Sequence, residues 1–380
     1  MYTETQKISS GNTIIMVLTN QEKQFYNRHL ILNEIGESGQ KALKASKILL
    51  IGAGGLGCAS LPYLVASGIG KIGIIDPDNI ATSNLHRQIL YTLEDVGKLK
   101  VEIAAKKMRQ LNPYIEIKTY PFHLTPDNAC SIFEQYDIII DGSDNFATRY
   151  LSNDAAILTN KPLVSGAIFK FQGQLSVFNY KGSGSYRCLY PSPPEQGKMP
   201  NCSQIGVLGV LPGIIGTMQA AEVIKIALDK KEGVLTGKLL CLDILTMQQT
   251  IFSYTKNIEN FTKKELNSSF YASFEKQCQH PFNNHQNQMA VESLQIEEYR
   301  LNTEKYHLLD VRSYEEFENY NIGGQHINLQ ELDDRMGEIP NTKPLVVCCA
   351  SGIRSKKAIE ILTKSGYPSD NIYNLDGGLQ

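Results

Sequence analysis

Residues 47–76, KILLIGAGGLGCASLPYLVASGIGKIGIID, contain two apolar runs that flank a glycine-rich loop and a stretch with helical periodicity. An apolar run that leads into a GAGGLG loop and then into a helix is typical of a βαβ unit that binds a nucleotide. The glycines permit a tight turn and a close approach of backbone N–H groups to phosphate, whose negative charge the helix N-terminus favours. Asp76 ends the second run, where a carboxylate can accept a hydrogen bond from a ribose hydroxyl. We therefore predict nucleotide contacts at Gly52, Gly54, Gly55, Gly57 and Asp76.

Apolar β-branched runs and helical stretches alternate on both sides of this unit. The runs predict strands at 47–52, 71–76, 115–120, 137–141, 163–167, 174–179 and 239–243, and the periodic stretches predict helices at 56–67, 98–111, 149–159 and 217–228. Continuous apolar runs of this length fit strands buried on both faces of a parallel sheet. We therefore predict an α/β fold of the Rossmann-like, doubly wound, mostly parallel type.

The chain is too long for one ordinary domain. We predict a flexible tail over residues 1–20, a nucleotide-binding domain over 21–261, a linker over 262–290 and a small α/β domain over 291–380. The linker lacks apolar periodicity, which resumes after it with predicted strands at 307–311 and 345–348 and a helix at 355–365. A segment of about 90 residues is long enough to fold as an independent domain.

The composition excludes several classes of protein. The net charge is −2, which gives no field that favours nucleic acid or an anionic membrane. No apolar run approaches the roughly 20 residues that a membrane helix needs, and residues 1–20 lack the features of a signal peptide, so we expect a cytoplasmic protein. None of the eight cysteines forms a CxxC pair, and we expect free thiols.

Three further segments bear on which nucleotide is bound, because the glycine loop alone fits a nicotinamide or flavin enzyme equally well. They are Asp76-Pro77-Asp78 with SNLHRQ at 83–88, DVGKLK at 95–100, and DGSDN at 141–145. Cleaving a triphosphate needs basic residues, since charge develops on the leaving pyrophosphate, whereas hydride transfer does not. Asp144 is a candidate Mg²⁺ ligand, because Mg²⁺ usually takes one or two carboxylates with phosphate oxygens. These segments favour ATP chemistry.

Five ordered motifs, YNRHLIL (26–32), GAGGLG, SNLHRQ, VGKLK and DGSDNFATR, resemble those of the molybdopterin-synthase and thiamine-biosynthesis adenylyltransferases, which are bacterial relatives of the ubiquitin-activating enzymes. The resemblance covers roughly residues 24–250. It implies that the chain binds ATP and Mg²⁺ and activates a small ubiquitin-like sulfur carrier that ends in Gly-Gly. The implied contacts are the glycine loop, Asp76 and Asp78 for the nucleotide, Asn84, Arg87 and Lys100 for phosphates, Asp144 for Mg²⁺, and Arg28, whose counterpart reaches the partner subunit's ATP in a homodimer.

The resemblance also implies two cysteine sites. Relatives have a cysteine at the position of Cys202, which in some bonds covalently to the activated carrier; a loop cysteine without chemistry is an equally good interpretation. Most relatives hold a structural zinc with two CxxC pairs. Here the first pair reads Ser185-Tyr186-Arg187-Cys188, and the second is absent. We expect no zinc, because separate thiolates cannot complete a tetrahedral four-cysteine site.

The C-terminal segment contains a candidate sulfur site. Cys349 begins a loop, CASGIRS, between a predicted strand and a predicted helix, where backbone N–H groups, the helix N-terminus and Arg354 favour a thiolate or persulfide anion. This loop, with DVR at 310–312, EEF at 315–317 and IGGQHI at 322–327, resembles rhodanese-type sulfurtransferases over about residues 291–380. By register Cys349 is the persulfide carrier.

Together these observations predict an ATP-dependent adenylyltransferase coupled to sulfur transfer, which yields a carrier thiocarboxylate. The molybdopterin-synthase small subunit is the favoured carrier, the thiamine-biosynthesis carrier is the alternative, and a cysteine desulfurase or another donor would supply the sulfur. An NAD(P)-dependent oxidoreductase and a non-catalytic carrier-binding scaffold are the alternatives from other classes.

Overall fold

A computed structural model describes residues 8–10, 13–15, 17–193, 206–230, 233–262, 265–266, 271, 292–350, 352–368, 371–376 and 378–379. The chain divides into two compact units, Met1–His280 and Pro281–Gln380. Cys202 and most of the predicted linker lie outside the described residues.

The first unit contains a small antiparallel hairpin and one large mixed sheet. The hairpin pairs β1 (Ile8–Ser10) with β2 (Thr13–Ile15). The large sheet consists of β3 (Lys47–Ile51), β4 (Lys71–Ile75), β5 (Glu116–Tyr120), β6 (Ile138–Asp141), β7 (Leu163–Phe169), β8 (Gln172–Phe178), β9 (Lys238–Asp243) and β10 (Gln248–Ser253). Its strand order is β10-β9-β8-β7-β6-β3-β4-β5, parallel from β5 to β7 and antiparallel from β7 to β10.

Helices cover both faces of this sheet. They are α1 (Asn20–Phe25), α2 (Asn27–Leu30), α3 (Gly36–Ala45), α4 (Gly55–Ala66), α5 (Lys100–Leu111), α6 (Pro126–Phe133), α7 (Phe146–Leu158), α8 (Tyr186–Leu189) and α9 (Val210–Ala227), with short 3₁₀ turns at Thr82–Asn84, Leu93–Asp95 and Ile258–Phe261. Successive strand residues point to opposite faces. Accordingly Ile48 and Leu50 pack in one core with α4, α5 and α9, and Leu49 and Ile51 in a second core with α6 and α7. The predicted doubly wound fold is confirmed.

Helix α9 begins at Val210, seven residues before the helix predicted at 217–228. Leu211 and Ile215 are fully buried and pack against Leu56, so the added turns of the helix belong to the core of the first unit. A Cβ on Gly216 would lie 2.4 Å from the carbonyl oxygen of Leu56, so the glycine permits the close contact of α9 with α4. The helix is long and apolar enough to cross a membrane, but half of it is buried against the sheet and α4, as in a core helix.

The second unit is built on a five-stranded parallel sheet with helices on both faces. Its strands are β11 (Glu292–Leu294), β12 (His307–Asp310), β13 (Gln325–His326), β14 (Leu345–Cys348) and β15 (Ile372–Leu375), in the order β11-β15-β14-β12-β13. Its helices are α10 (Ile296–Leu301), α11 (Tyr314–Asn319), α12 (Leu332–Arg335) and α13 (Ile353–Lys364), with 3₁₀ turns at Thr303–Lys305 and Met336–Glu338. Cys348 and Cys349 belong to the cores on opposite faces.

Two described residues of the predicted linker, Leu266 and Tyr271, pack into the first unit. Tyr271 is 2% exposed, and its hydroxyl donates a hydrogen bond to the carboxylate of Asp154. The same carboxylate pairs with Arg187 on α8, with Nε and Nη2 at 2.7 and 2.8 Å from its two oxygens. The predicted division at 261 therefore leaves Tyr271 outside a unit into which it packs, and the boundary of the linker remains a prediction.

Candidate functional site

A cavity of about 580 Å³ opens at the C-terminal edge of β3, β4 and β6. This is the edge where ligands bind in open parallel sheets, and the volume is in the range of nucleotide and small-molecule sites. The predicted site residues that line it are Gly52, Gly54, Gly55, Asp76, Asp78, Arg87, Lys100 and Asp144. Gly57, Asn84 and Arg28 are not among the lining residues.

The glycine loop presents backbone rather than side chains to this cavity. Gly52 has a φ of +90°, and a Cβ there would lie 2.9 Å from the carbonyl oxygen of Gly142. Gly54 is the N-cap of α4 and makes no side-chain capping hydrogen bond. The N–H groups of the first helical turn are therefore available to an anion in the cavity. Gly57 has a packing role, because a Cβ there would lie 2.1 Å from the carbonyl oxygen of Gly52.

Asp76 connects the glycine loop to the loop that follows β4. Its Oδ2 accepts a hydrogen bond from the Ala53 N–H and its Oδ1 accepts one from the Asp78 N–H, both at 2.8 Å. The residue is 6% exposed, and burial raises the pKa of its carboxyl group while the charge of Lys100 opposes the rise. Asp76 therefore shapes two loops in addition to lining the cavity.

Two basic residues of the cavity hold hydrogen bonds to nearby oxygens. The Lys100 ammonium lies 2.7 Å from Oδ2 of Asp78, whose side chain is 61% exposed, so a water-facing partner holds the lysine. Arg87 donates through Nη1 to the Ser83 carbonyl oxygen at 2.9 Å. The Arg87 contact is exposed, and the Asp78 partner of the buried Lys100 faces water, so a phosphate can compete for either cation.

Two other predicted contacts lie away from the cavity. Asn84 closes a 3₁₀ turn, since its Oδ1 accepts a hydrogen bond from the Ala81 N–H at 3.2 Å. Arg28 lies on α2 and is exposed to solvent. The predicted phosphate contact of Asn84 and the predicted reach of Arg28 into a partner subunit both remain predictions.

Asp144 lies in the turn after β6 and is exposed at the cavity. The next residue, Asn145, is the N-cap of α7 and accepts a hydrogen bond from the Thr148 N–H at 2.8 Å. Asp141, which ends the strand, is 1% exposed. The end of β6 and the N-cap of α7 thus fix the backbone on both sides of Asp144. An exposed carboxylate in the same cavity as the N-terminus of α4 fits the ligands that Mg²⁺ prefers.

Eight polar residues of the cavity were not among the predicted site residues: His86, Gln88, His123, Ser143, Asn145, Thr148, Arg149 and Lys170. Gln88 is 4% exposed, and its Oε1 has no hydrogen-bond partner among the described residues. Gln88 and Arg149 belong to the SNLHRQ and DGSDNFATR motifs, so the sequence carried a signal for them. His123 and Lys170 belong to no recognised motif, and only the fold brings them to the cavity.

The candidate sulfur site lies at the end of β14 in the second unit. Cys349 is 0% exposed, with Sγ 3.4 Å from Oγ of Ser355. The predicted cation, Arg354, forms a two-pronged pair with Glu316 at 2.6 and 2.7 Å, and this pairing lowers the pKa of Glu316 to about 2. Burial raises the pKa of the neighbouring Cys348 thiol, which lies on the opposite face of the sheet. Cys349 therefore lies on the face of the sheet that packs against α13, and Cys348 lies on the other face.

The structure also locates Cys188, the remaining cysteine of the CxxC-like segment. Its sulfur lies 3.3 Å from the Ser185 N–H nitrogen, 3.3 Å from that of Asn257 and 3.5 Å from Nδ2 of Asn260. Burial opposes ionisation, but these donors outweigh it and lower the pKa of the Cys188 thiol. In the described part of the chain no three His, Cys, Asp or Glu side chains cluster as a metal would require. The absence of zinc remains a prediction.

The geometry defines an α/β unit with a glycine loop and two cations on one cavity, and a separate parallel α/β unit with a cysteine after its central strand. The ThiF family matches residues 26–265, and the rhodanese-like domain matches residues 296–380. The chain belongs to the ThiF family and carries a C-terminal rhodanese-like domain.

Three relatives share much of this sequence. The chain is 41% identical over 365 residues to the probable molybdopterin-synthase adenylyltransferase of Porphyra purpurea, covering 94% of this chain and 92% of the relative. It is 37% identical over 369 residues to the probable adenylyltransferase/sulfurtransferase MoeZ of Mycobacterium tuberculosis, covering 95% and 93%. It is 47% identical over 232 residues to the sulfur carrier protein adenylyltransferase of Thermus thermophilus, covering 60% and 85%.

Among solved structures, Escherichia coli MccB with ATP matches at a TM-score of 0.53 and 22% identity, over 63% of this chain and 73% of that one, which supports the fold alone. The relatives define the class of enzyme. The chain is an adenylyltransferase with a sulfurtransferase domain, as predicted, and the oxidoreductase and scaffold alternatives find no support.

Proposed function

We propose that the first unit uses ATP and Mg²⁺ to adenylylate the C-terminal glycine carboxylate of a small ubiquitin-like sulfur carrier. The favoured carrier is the small subunit of molybdopterin synthase. The observation that supports this most strongly is the joint presence, on one cavity, of an uncapped helix N-terminus, Lys100, Arg87 and the exposed Asp144. An enzyme that releases pyrophosphate needs this set of charges.

The reaction needs little acid–base help from the protein. A terminal carboxylate has a pKa of about 3.3–3.7, so it is ionised at neutral pH and can attack the α-phosphorus directly. The glycine loop and the two cations hold the phosphates, and Asp76 holds the ribose. Asp144 would hold Mg²⁺, which supplies charge neutralisation on the phosphate oxygens when bound. The protein therefore contributes positioning and electrostatic stabilisation.

Sulfur transfer follows from Cys349 of the second unit. The terminal sulfur of a Cys349 persulfide attacks the carbonyl carbon of the acyl-adenylate, AMP leaves, and an acyl disulfide forms. A thiol reductant then breaks the S–S bond and releases the carrier thiocarboxylate. A cysteine desulfurase or another persulfide donor would recharge the thiol, and Arg354, which its contact with Glu316 holds in place, interacts electrostatically with Cys349.

Other features complete the proposal. A homodimer would let Arg28, which lies outside the cavity of its own subunit, reach the nucleotide of a second copy. Cys202 is a candidate for a covalent bond to the carrier. We propose that the protein works in the cytoplasm and without zinc.

The test is carrier-dependent exchange of labelled pyrophosphate into ATP. The wild-type protein should catalyse exchange with a carrier that ends in Gly-Gly, and Asp144→Ala should lose it. Asp127→Ala, which removes an exposed carboxylate on α6 away from the cavity, is the matched control and should keep full activity. Running the molybdopterin-type and thiamine-type carriers side by side separates the two pathways. Exchange that does not depend on either carrier would overturn the proposal.

A further inference from the structure

Side chains of two helices donate hydrogen bonds to the backbone of the turn that carries Asp144. Gln219, on α9, donates through Nε2 to the Asp141 carbonyl oxygen at 2.8 Å. Oδ1 of Asp141 accepts hydrogen bonds from the N–H and the hydroxyl of Ser143, at 3.0 and 2.6 Å. Arg149, on α7, donates through Nη2 to the Ser143 carbonyl oxygen at 3.1 Å. Every bond in this set ends on one of the two residues at the base of the turn.

Burial divides the turn into a fixed base and an exposed tip. Gln219 is 0%, Asp141 1% and Ser143 7% exposed, whereas Asp144 is exposed at the cavity. Buried hydrogen bonds are worth more than exposed ones, because water does not compete for them. The hydrogen bonds to Asp141 and Ser143 therefore fix the base of the turn. The position of Asp144 at the tip depends on the position of that base.

Among these side chains, Arg149 contacts the residue next to Asp144, because it binds the carbonyl oxygen of Ser143. The Ser143 carbonyl and the Asp144 N–H belong to one planar peptide unit, so fixing the carbonyl oxygen also fixes the Cα of Asp144. Arg149 itself lines the cavity, and its Nε is buried without a hydrogen-bond partner among the described residues. The guanidinium thus leaves one buried donor unsatisfied while another holds the Ser143 carbonyl.

We propose that Arg149 is a positioning residue, which holds the Ser143 carbonyl and thereby places the Asp144 carboxylate for the metal–nucleotide complex. This inference rests on the proposed function, in which Asp144 binds the metal. It assigns to Arg149 an effect on metal affinity rather than on carrier binding. Groups that orient metal ligands typically change metal affinity by about 10- to 100-fold when they are removed.

The test compares Arg149→Met with Arg109→Met. Arg109, on α5, makes the same kind of contact, since its Nη2 donates to the Ile117 carbonyl oxygen at 2.8 Å, but it does not line the cavity. Both variants lose an arginine–carbonyl hydrogen bond, so thermal unfolding should show similar small losses of stability. The affinity for Mn²⁺, measured by electron paramagnetic resonance with a non-hydrolysable ATP analogue, should fall about tenfold in Arg149→Met and stay unchanged in Arg109→Met.

Arg149→Lys and Asp144→Ala distinguish the role of Arg149 from that of Asp144. Arg149→Lys keeps the charge but loses the planar fork, so its Mn²⁺ affinity should lie between that of the wild type and that of Arg149→Met. If Arg149→Met does not fold, the lysine variant decides, and wild-type Mn²⁺ affinity in it overturns the proposal. A loss of Mn²⁺ affinity in Asp144→Ala, with none in Arg149→Met, overturns the role of Arg149 and leaves the proposed function standing. Unchanged affinity in Asp144→Ala removes the metal role of Asp144 and the proposal with it.

Discussion

The two units present their reactive groups in opposite ways. In the first unit the cavity is open, Asp144 is exposed, and Lys100 is paired with a carboxylate that is itself 61% exposed. In the second unit the sulfur of Cys349 is 0% exposed, and the nearby Arg354 is paired with Glu316. The nucleotide site is therefore open to a ligand, whereas the sulfur of Cys349 must become exposed before the thiol can react.

The difference follows from the chemistry of each site. A phosphate ligand is large and charged, so its site must be open and must supply cations and N–H groups at fixed positions. A persulfide is readily reduced or oxidised, and burial protects it until a partner arrives.

The largest expected effect is the loss of sulfur transfer in Cys349→Ser. Transfer of sulfur from thiosulfate to cyanide should fall to the background, because the variant has no thiol at the loop. Cys348→Ala is the matched control: its side chain faces the opposite core, so it should cost about 1 kcal/mol of stability and keep transferase activity. Activity that survives in Cys349→Ser and disappears in Cys348→Ala would reverse the assignment of the two cysteines.

The next effect concerns the nucleotide cavity. Lys100→Met should reduce carrier-dependent pyrophosphate exchange by about 10²–10³-fold, since one cation at the developing charge is lost. Lys107→Met, on the same helix but paired with Asp95 away from the cavity, should leave exchange unchanged. Cys349→Ser should also retain exchange within about twofold, because adenylylation precedes sulfur transfer. Parallel losses in Lys100→Met and Cys349→Ser would show that the two sites are not separable.

A third prediction concerns the access of reagents to Cys349. If the loop opens at a cost of about 3 kcal/mol, iodoacetamide should alkylate Cys349 about 100-fold more slowly than a free thiol. The rate is measured by mass spectrometry of the peptide that contains the residue. Alkylation at the rate of a free thiol would mean that the loop is open in solution, and the contrast between the two units would disappear.

A fourth prediction concerns the pH dependence of the second unit. The pKa of Glu316 is lowered to about 2 by Arg354, so the pair stabilises the folded unit above the unfolded pKa of about 4.3 and loses this contribution as pH falls toward 2. Because the Glu316 side chain is 37% exposed, solvent screening limits the loss to about 1 kcal/mol. Chemical denaturation of Glu316→Gln should show a flatter dependence between these pH values. A slope identical to that of the wild type would contradict the pairing.

The smallest expected effect is at Cys188. Cys188→Ala should lower the free energy of unfolding by about 0.5 kcal/mol, because three weak hydrogen bonds to sulfur are lost. Cys130→Ala, a half-buried thiol on α6, serves as the control.

A metal chelator should leave the melting temperature of the wild type unchanged. A chelator-induced fall in melting temperature would contradict the prediction that the protein has no zinc.

Much of the fold was predictable, because apolar β-branched runs identify strands buried on both faces. The strands at 47–51, 71–75 and 345–348 lie within a residue of their predicted bounds. The short edge strand at 292–294 and helix α3 were missed, since neither has a long apolar run. The start of α9 was missed because Pro212 and Gly213 read as helix breakers, whereas Pro212 lies in the first turn, where a missing N–H costs no helical hydrogen bond, and Leu211 and Ile215 are buried.

The site residues were predictable only where residues of suitable chemistry lie in a local sequence motif. The glycine loop, Asp76, Lys100 and Asp144 lie in local motifs and do line one cavity. Lys170 and His123 were missed, because they reach the cavity from loops that are distant in sequence. The burial of Cys349 and the pairing of Arg354 with Glu316 were also missed, since they depend on tertiary contacts that no local pattern records.

The measurement that tests the account most directly is the mass of the carrier after one turnover with ATP, Mg²⁺, a persulfide donor and a thiol reductant. The wild-type protein should increase the carrier mass by the exchange of one oxygen for sulfur, and Cys349→Ser should release pyrophosphate without this change. A thiocarboxylate formed by Cys349→Ser at the wild-type rate would contradict the claim that one chain performs both the adenylylation and the sulfur transfer.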